Sequence, residues 1–209
     1  FTKLDEIMKE ETSPFIVVMG GKKISDKTLV IENLINKCDK ILIGGGMCFT
    51  FLKALNINIG SSIVDDDNLE FCTNILNTYK EKIILPIDII TNNQEIKDIN
   101  KLNNKDIGYD IGPKTLELYT NYLKEAKRVV INGPMGVFEE PAFAKGTNGI
   151  YKCLKENNIK TLIGGGDSAA SVNLLGYQDD FFHISTGGGA TLDYLSGKEL
   201  PGISIIGDK

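Results

Sequence analysis

The sequence has few of the side chains that build metal centres. Among its 209 residues there are one histidine, His183, one arginine, Arg128, and no tryptophan. The four cysteines lie far apart and form no Cys-x-x-Cys pair. We therefore expect no zinc site built from Cys and His. His183 lies inside a predicted strand and is interpreted as a structural residue.

Positive charge and long hydrophobic segments are also scarce. The 28 acidic residues outnumber the 23 basic ones and give a formal net charge of −5, so we expect no nucleic-acid partner. No run approaches the roughly 18 apolar residues that span a bilayer, and no secretory signal is visible. We therefore expect no membrane association. The dispersed cysteines are typical of reduced, buried thiols and predict a cytoplasmic protein, which we expect to be a monomer.

Glycine, in contrast, is abundant and clustered. Three Gly-Gly-Gly triplets and one Gly-Gly pair each follow a short apolar run and precede a helix-like pattern, at residues 44–46, 164–166, 187–189 and 20–21. A strand that turns through glycines into a helix leaves backbone N–H groups at the positive end of the helix dipole, which favours anions. Several such turns in one small domain indicate a protein that binds nucleotide or phosphate.

Six short runs are apolar throughout, which is the pattern of strands covered on both faces of a parallel sheet. They are residues 15–19, 41–43, 83–85 together with 87–90, 129–131, 162–163 and 182–184. Helical patterns separate them, at residues 26–35, 68–79, 113–126, 148–156, 168–175 and 190–195. The alternation predicts an α/β fold, a doubly wound, mainly six-stranded parallel sheet with helices on both faces, as in Rossmann-like proteins. Ligands bind outside the carboxyl ends of the strands in such folds.

The chain ends and one internal segment lie outside this pattern. Residues 91–110 are polar and predict a surface excursion, either a loop or a hairpin. We expect residues 1–12 to be the end of an interdomain linker helix, residues 13–195 to form the α/β domain, and residues 196–209 to be a C-terminal tail. Because the sequence begins with Phe1 rather than Met, we expect it to be a fragment of a longer protein.

The common phosphate-binding motifs are absent or weak. No G-x-x-x-x-G-K-[ST] sequence is present, which argues against a P-loop NTPase. Gly164-x-Gly166-x-x-Ala169 fits the dinucleotide pattern G-x-G-x-x-A, but this spacing arises by chance in glycine-rich chains. An NAD-dependent dehydrogenase would also carry an acidic residue at the end of the next strand, which here ends at Ser185 and Thr186. A dehydrogenase-type domain is the weaker alternative.

Charged residues beside the glycines fit phosphoryl transfer. Lys22, Lys23 and Lys27 follow the first glycine pair, where lysines reach phosphate oxygens as point charges; the alternative is a solvated loop before a capped helix. Asp167 and Ser168 stand at a helix start, either as an ordinary N-cap or, for the carboxylate, as a ligand of Mg²⁺ beside nucleotide phosphates. Phosphoryl transfer needs positioning and charge neutralisation more than a covalent group.

Seven segments together carry a specific pattern. They read GGKKISDK (20–27), GGGMCFTFLKA (44–54), LPID (85–88), DIGPKT (110–115), NGPMGVFE (132–139), GGGDSAA (164–170) and HISTGGGA (183–190). In this order and spacing they resemble the carboxyl-terminal, nucleotide-binding domain of the phosphoglycerate kinase family. The resemblance runs nearly end to end and implies an α/β fold that binds Mg·ADP or Mg·ATP. It also implies transfer of a phosphoryl group between 1,3-bisphosphoglycerate and ADP, giving 3-phosphoglycerate and ATP in glycolysis.

The resemblance assigns roles to individual residues. It implies a catalytic set of Lys23, Gly166, Gly188 and Gly189, in which Lys23 neutralises the phosphoryl group in flight. It implies Mg²⁺ ligands at Asp167 and Asp26. The implied nucleotide contacts are Gly21, Lys22, Lys23, Lys27, Gly45, Gly46, Phe49, Gly112, Asn132, Glu139, Gly165, Gly166, Asp167 and Ser168. Within that set, Phe49 is expected near the base, Glu139 at the ribose and Asn132 at a phosphate.

Two departures accompany the resemblance. The family usually carries Ala where Lys22 stands, so the extra charge either raises nucleotide affinity or points into water. The family also has an amino-terminal domain with a basic phosphoglycerate site, and no arginine-rich patch exists in this sequence. The resemblance therefore implies a missing domain, toward which residues 196–209 would pack, and a fragment that binds nucleotide without turnover. A non-catalytic nucleotide-binding module is the third interpretation.

Overall fold

Strands and helices alternate along most of the chain, which the computed structural model describes for residues 2–185 and 188–198. The helices are α1 (Thr2–Lys9), α2 (Thr28–Leu34), α3 (Cys48–Ala54), α4 (Leu69–Thr78), α5 (Pro113–Lys124), α6 (Lys145–Glu156), α7 (Gly166–Leu175) and α8 (Gly188–Leu195). The strands are β1 (Phe15–Met19), β2 (Lys40–Ile43), β3 (Ile83–Ile84), β4 (Asp88–Thr91), β5 (Ile96–Asp98), β6 (Gly108–Ile111), β7 (Arg128–Asn132), β8 (Thr161–Gly164) and β9 (His183–Ser185).

Six strands form one parallel sheet in the order β3-β2-β1-β7-β8-β9. β1 pairs with β2 on one side and with β7 on the other. The chain therefore moves outward from β1 to β3, returns to the centre at β7, and then moves outward in the opposite direction. Such a reversal leaves a crevice at the carboxyl ends of the two central strands, where ligands bind. The predicted doubly wound, six-stranded parallel sheet is confirmed.

The sheet carries helices on both faces because its central strands are apolar at every position. Phe15, Val17 and Met19 of β1 pack into a layer that contains α1, α2, α3, α4 and α8. Ile16 and Val18 point to the opposite side and pack into a layer that contains α5, α6 and α7. Both layers therefore draw on alternate residues of one strand, as the period of two in a β-strand requires.

A second, antiparallel sheet of three strands has the order β5-β4-β6. The prediction that residues 87–90 extend the parallel strand at 83–85 is wrong, since β3 and β4 belong to different sheets. Pro86 separates them and lacks the N–H that a continuous ladder needs. Residues 91–110 contain the turn after β4, all of β5 and most of β6. Because β4 and β5 pair antiparallel, the hairpin alternative for this segment is the correct one. The polar sequence hid β5 in particular, because it is an edge strand whose residues are exposed or half-buried, Ile96 among them.

A buried cation, Arg128, helps to hold the first helix against the sheet domain. Arg128 is 5% exposed and donates to the carbonyl oxygens of Ile7 (2.7 Å) and Thr12 (3.1 Å) at and beyond the C-terminal end of α1. Its guanidinium stacks on Phe15 at 4.0 Å from the ring centroid. The division into a linker (1–12), a domain (13–195) and a tail (196–209) stays a prediction, and residues 199–209 of that tail lie outside the described residues. None of the described helices is long and apolar enough to cross a bilayer.

Candidate functional site

Two adjoining cavities open at the carboxyl ends of the parallel strands. One has a volume of about 440 Å³ and the other of about 370 Å³. Gly21, Lys22 and Asp167 line both cavities, so the two spaces meet at these residues. Together they are large enough for a ligand of nucleotide size.

The smaller space, called the charged cavity from here on, collects ionic side chains from two separate loops. Lys22, Lys23, Asp26 and Lys27 come from the segment after β1, and Asp167 comes from the first turn of α7. The remaining walls are Asn132 at the end of β7, Gly133 after it, residues 164–166, Ser168, and Leu192 of α8. Nearly all of the predicted phosphate and metal residues are thus brought together, although they are far apart in sequence.

Lys27 is the most buried of the three lysines. Its ammonium group donates to Oδ1 of Asn132, and the Asn132 amide donates in turn to the carbonyl oxygen of Gly164 at 2.8 Å. Burial lowers the pKa of Lys27 to about 8, while the nearby carboxylates of Asp167 and Asp26 act in the opposite direction. A bound phosphate would favour the charged form further, because an opposite charge raises the pKa of a lysine.

The start of α7 faces this cavity without a side-chain cap. Its N-cap residue is Gly165, in the left-handed region at φ 101°. Within the described part of the chain, the N–H groups of Gly166 and Asp167 have no protein acceptor. The Ser168 hydroxyl accepts from the N–H of Gly133, which ties α7 to the loop after β7. Free first-turn amides at the positive end of a helix, beside a lysine, form an anion site.

The glycine turns after β1 and β2 differ from the turn that leads into α7. Their amides donate at 2.8–2.9 Å to protein carbonyls: Gly20 to Asn132, Gly21 to Pro134, Gly44 to Met19 and Gly45 to Met135. These four amides are therefore not available to an anion, contrary to the expectation that a strand–glycine–helix turn leaves its backbone N–H groups free. The glycines instead allow the loops to cross closely. Gly133 has φ 102°, and a Cβ there would lie 2.1 Å from the carbonyl oxygen of Gly20.

The larger space, called the apolar cavity, lies between the loop at 133–140 and the three-stranded sheet. Its walls include Ile63, Ile89, residues 107–111, Met135, Val137 and Phe138. Phe49 also lines it but is only 3% exposed, because its ring lies against Gly108, where a Cβ would come 2.0 Å from Cζ of the ring. Gly45 and Gly46 complete the side next to α3, and the exposed carboxylate of Glu139 stands at the rim.

Sequence reasoning assigned no site role to several of these wall residues. Asp110 and Ile111 lie within the quoted DIGPKT segment, so the family resemblance was the signal that could have found them. Nothing in the sequence marked Ile63 or residues 107–109 as part of a site, because they lie in segments with a polar or irregular pattern. The antiparallel sheet brings residues 107–109 to the cavity, and Ile63 reaches it from the segment between α3 and α4.

Asp110 is a buried carboxylate beside the apolar cavity. It is 4% exposed and accepts from the N–H of Gly146 at the start of α6 and from its neighbour Ile111, both at 2.9 Å. Gly136 and Gly146 pack against it, since a Cβ at either position would lie 2.5 Å from Oδ1. Burial raises the pKa of Asp110 to about 7, while the two amides and Lys145 lower it.

Gly112 lies outside both cavities. A Cβ there would lie 2.2 Å from Cγ of Asp88. The Asp88 carboxylate accepts from the amides of Lys114 (3.0 Å) and Thr115 (2.8 Å) in the first turn of α5. The observed role of Gly112 is therefore to leave room for a carboxylate that caps a helix from a neighbouring strand.

The last glycine cluster is only partly described. Gly188 and Gly189 begin α8, and Leu192 in the same helix lines the charged cavity. Gly187 lies outside the described residues. A catalytic role for Gly188 and Gly189 stays a prediction.

Asp26 and Asp167 are the two carboxylates of the charged cavity. In the segments that the structure covers, no three His, Cys, Asp or Glu side chains are close enough to hold a metal ion. Mg²⁺ suits such a donor set, because it is commonly bound by one or two carboxylates, water and substrate phosphates. The residues therefore fit a Mg²⁺ ion whose other ligands are water and phosphate oxygens.

Comparison with known proteins points to one family. Residues 1–198 match the family model described as phosphoglycerate kinase. The chain is 49% identical over 99% of its length to the phosphoglycerate kinase of Dictyoglomus turgidum, and 49% identical over 99% to that of Fusobacterium nucleatum. It superimposes on the solved phosphoglycerate kinase of Coxiella burnetii with a TM-score of 0.94 at 32% identity over 98% of this chain. The corresponding values for Pyrococcus horikoshii are 0.87, 31% and 99%. The chain spans 54–56% of the length of these four proteins.

Proposed function

Because the chain belongs to the phosphoglycerate kinase family, we propose that its two cavities form one site for Mg·ADP or Mg·ATP. In the whole protein, this half serves the transfer of a phosphoryl group between 1,3-bisphosphoglycerate and ADP, which gives 3-phosphoglycerate and ATP. The second substrate binds a further domain, amino-terminal to this one, in a protein about twice as long. The four buried free cysteines suit a reducing compartment, and the proposal places the protein in the cytoplasm as a monomer.

The apolar cavity receives the base and the ribose. Its aliphatic walls and the narrow gap between the loop at 133–140 and the three-stranded sheet suit a flat heterocycle. The buried ring of Phe49 forms part of the cavity floor from the core side, so it does not present an open face for the base to stack on. Glu139, at the exposed rim, accepts hydrogen bonds from the ribose hydroxyls.

The charged cavity receives the phosphates. The free amides of Gly166 and Asp167 and the ammonium group of Lys27 converge there. Asn132 positions Lys27, so that the cation is oriented before the nucleotide arrives. Such preorganised charge costs no rearrangement during the reaction.

Asp167 and Asp26 would hold Mg²⁺, which would neutralise negative charge on the phosphate oxygens. Lys23 lies at the open side of the charged cavity and is exposed. In our proposal it neutralises the transferred phosphoryl group, with Gly166, Gly188 and Gly189 bordering the path. This chain by itself carries no arginine-rich phosphoglycerate site, so it binds nucleotide without turning over.

The continuity of the two cavities at Gly21, Lys22 and Asp167 carries this proposal. Calorimetric titration of the chain with ADP, with and without Mg²⁺, tests it. We expect one saturable site that is strengthened by Mg²⁺. The absence of heat or spectral change at millimolar ADP would overturn the nucleotide assignment, and normal turnover by this chain in a coupled assay would overturn the proposed need for the other domain.

A further inference from the structure

We propose that Lys22 contacts the phosphate nearest the ribose and so sets the affinity of the site for nucleotides of any phosphate length. The inference deepens the proposed function and rests on it. It assigns to Lys22, where the family usually carries Ala, a phosphate contact of its own beside those of Lys23 and Lys27.

The position of Lys22 separates it from the other two lysines. Lys22 lines both cavities, whereas Lys23 and Lys27 line the charged cavity alone. A nucleotide with its base in the apolar cavity and its last phosphate at the start of α7 must pass its first phosphate through the junction. Lys22 is the cation among the described residues that borders this passage.

The backbone of Lys22 is held in place by the next loop. The carbonyl oxygen of Gly21 accepts from the N–H of Met47 at 3.1 Å. At Gly46, a Cβ would lie 3.0 Å from the carbonyl oxygen and 3.4 Å from Cα of Lys22. The segment is therefore packed against the start of α3, and the lysine begins from a fixed point at the cavity junction.

The charge of Lys22 is available to a ligand. Its side chain is exposed, and the ion pairs found in the described ranges do not include it. Asp167 lines the same junction, and its negative charge repels a phosphate. The positive charge of Lys22 offsets this repulsion. Because the ammonium group is solvated, its attraction is partly screened.

A series of ligands that differ only in phosphate number tests the assignment. Adenosine, AMP, ADP and ATP are titrated into the wild-type chain, Lys22→Ala, and the control Lys152→Ala. Lys152 is exposed on α6 and lies outside both cavities, so Lys152→Ala removes the same charge at a place away from the site. We expect Lys22→Ala to weaken AMP, ADP and ATP by a similar factor of about three to ten, to leave adenosine unchanged, and to reduce the salt dependence of binding. Lys152→Ala should match the wild type, and Lys22→Arg should restore most of the affinity.

Two results would overturn the inference while the proposed function stands. One is a Lys22→Ala chain that binds every ligand as the wild type does. The other is a loss confined to ADP and ATP, which would move Lys22 to the outer phosphates. A wild-type chain that binds none of the nucleotides would overturn the proposed function and this inference together. Circular dichroism of each variant confirms that the fold is retained.

Discussion

The ammonium group of Lys27 donates a hydrogen bond to the side-chain carbonyl of Asn132, across the point where the strand order of the sheet reverses. The contact joins the loop after β1 to the end of β7, 105 residues further along the chain. It fixes a half-buried cation in the wall of the charged cavity, which the start of α7 also lines. The positive charge of Lys27 is therefore held in position by a hydrogen bond, unlike that of an exposed lysine, whose side chain must be ordered by the ligand.

Replacing Lys27 with Ala should weaken ADP binding by roughly 1–3 kcal/mol, the range for a lost hydrogen bond to a charged group. The change removes the half-buried ammonium group and also leaves Oδ1 of Asn132 without its donor. Calorimetric titration of Mg·ADP measures the effect, with Lys152→Ala as the matched loss of an exposed lysine. Unchanged affinity in Lys27→Ala would remove this residue from the site.

Nucleotide affinity should fall as the pH rises above about 8. Burial lowers the pKa of Lys27 to about 8, so below that pH the residue is mainly cationic and attracts phosphate. Above it, binding must recover a proton, and the dissociation constant should rise by up to tenfold per pH unit. Titrations between pH 7 and pH 9.5 measure this slope, and Lys27→Arg, which keeps its charge, should flatten it. A wild-type profile that is flat over this range would contradict the prediction.

Gly133→Ala should lower the free energy of unfolding by about 2 kcal/mol or more. The added Cβ would stand 2.1 Å from the carbonyl oxygen of Gly20 at a φ of 102°, which strains the backbone and pushes two crossing loops apart. Urea unfolding measures the loss. Gly166→Ala is the control, since a Cβ there meets nothing within 4 Å, and its stability should stay within about 0.5 kcal/mol of the wild type. Equal stability of the two variants would refute the close crossing.

The stability of the chain should carry a pH dependence that originates at Asp110. Its pKa is raised from 3.8 to about 7 in the folded state, so the folded chain favours the protonated carboxyl group. The resulting stabilisation is complete below about pH 4 and is lost as the pH rises to about 7, at up to roughly 1.4 kcal/mol per pH unit.

Asp110→Asn cannot ionise, and its amide N–H₂ faces one of the two backbone donors, so the variant should be less stable than the wild type at pH 4–5. The difference between the two chains should then shrink steadily up to pH 7 and stay constant above it. Urea unfolding at four pH values measures the difference. A gap that is the same at all four values would show that Asp110 does not titrate in this range.

The main sheet is predictable from the sequence because its strands are continuous apolar runs. β1 and β7 are buried at every position, and strands covered on both faces have that signature. The three-stranded sheet is not predictable in the same way, since β5 has exposed and partly buried residues only and is defined by its pairing with β4. Its position matters for function, because β4 and β6 form one wall of the apolar cavity.

The residues of the candidate site likewise divide into those whose role the sequence predicts and those whose role depends on distant contacts. The lysines after β1 and the carboxylate at the start of α7 could be predicted, since charge type and helix position are local properties of the sequence. The hydrogen-bond partners of the glycine amides could not be predicted, because Gly21 and Gly45 donate to carbonyls of the loop after β7, which is distant in sequence. Likewise Gly112 matches a family motif, yet its surroundings are set by Asp88 on another strand.

The most direct test of the account is a crystal structure of the chain with Mg·ADP bound. The account predicts difference density for the base between the loop at 133–140 and the three-stranded sheet. Density for the phosphates should run past Lys22 to Lys27 and the start of α7, with Mg²⁺ at Asp167. Nucleotide density at any other place on the chain, or density that leaves the junction of the two cavities empty, would contradict it.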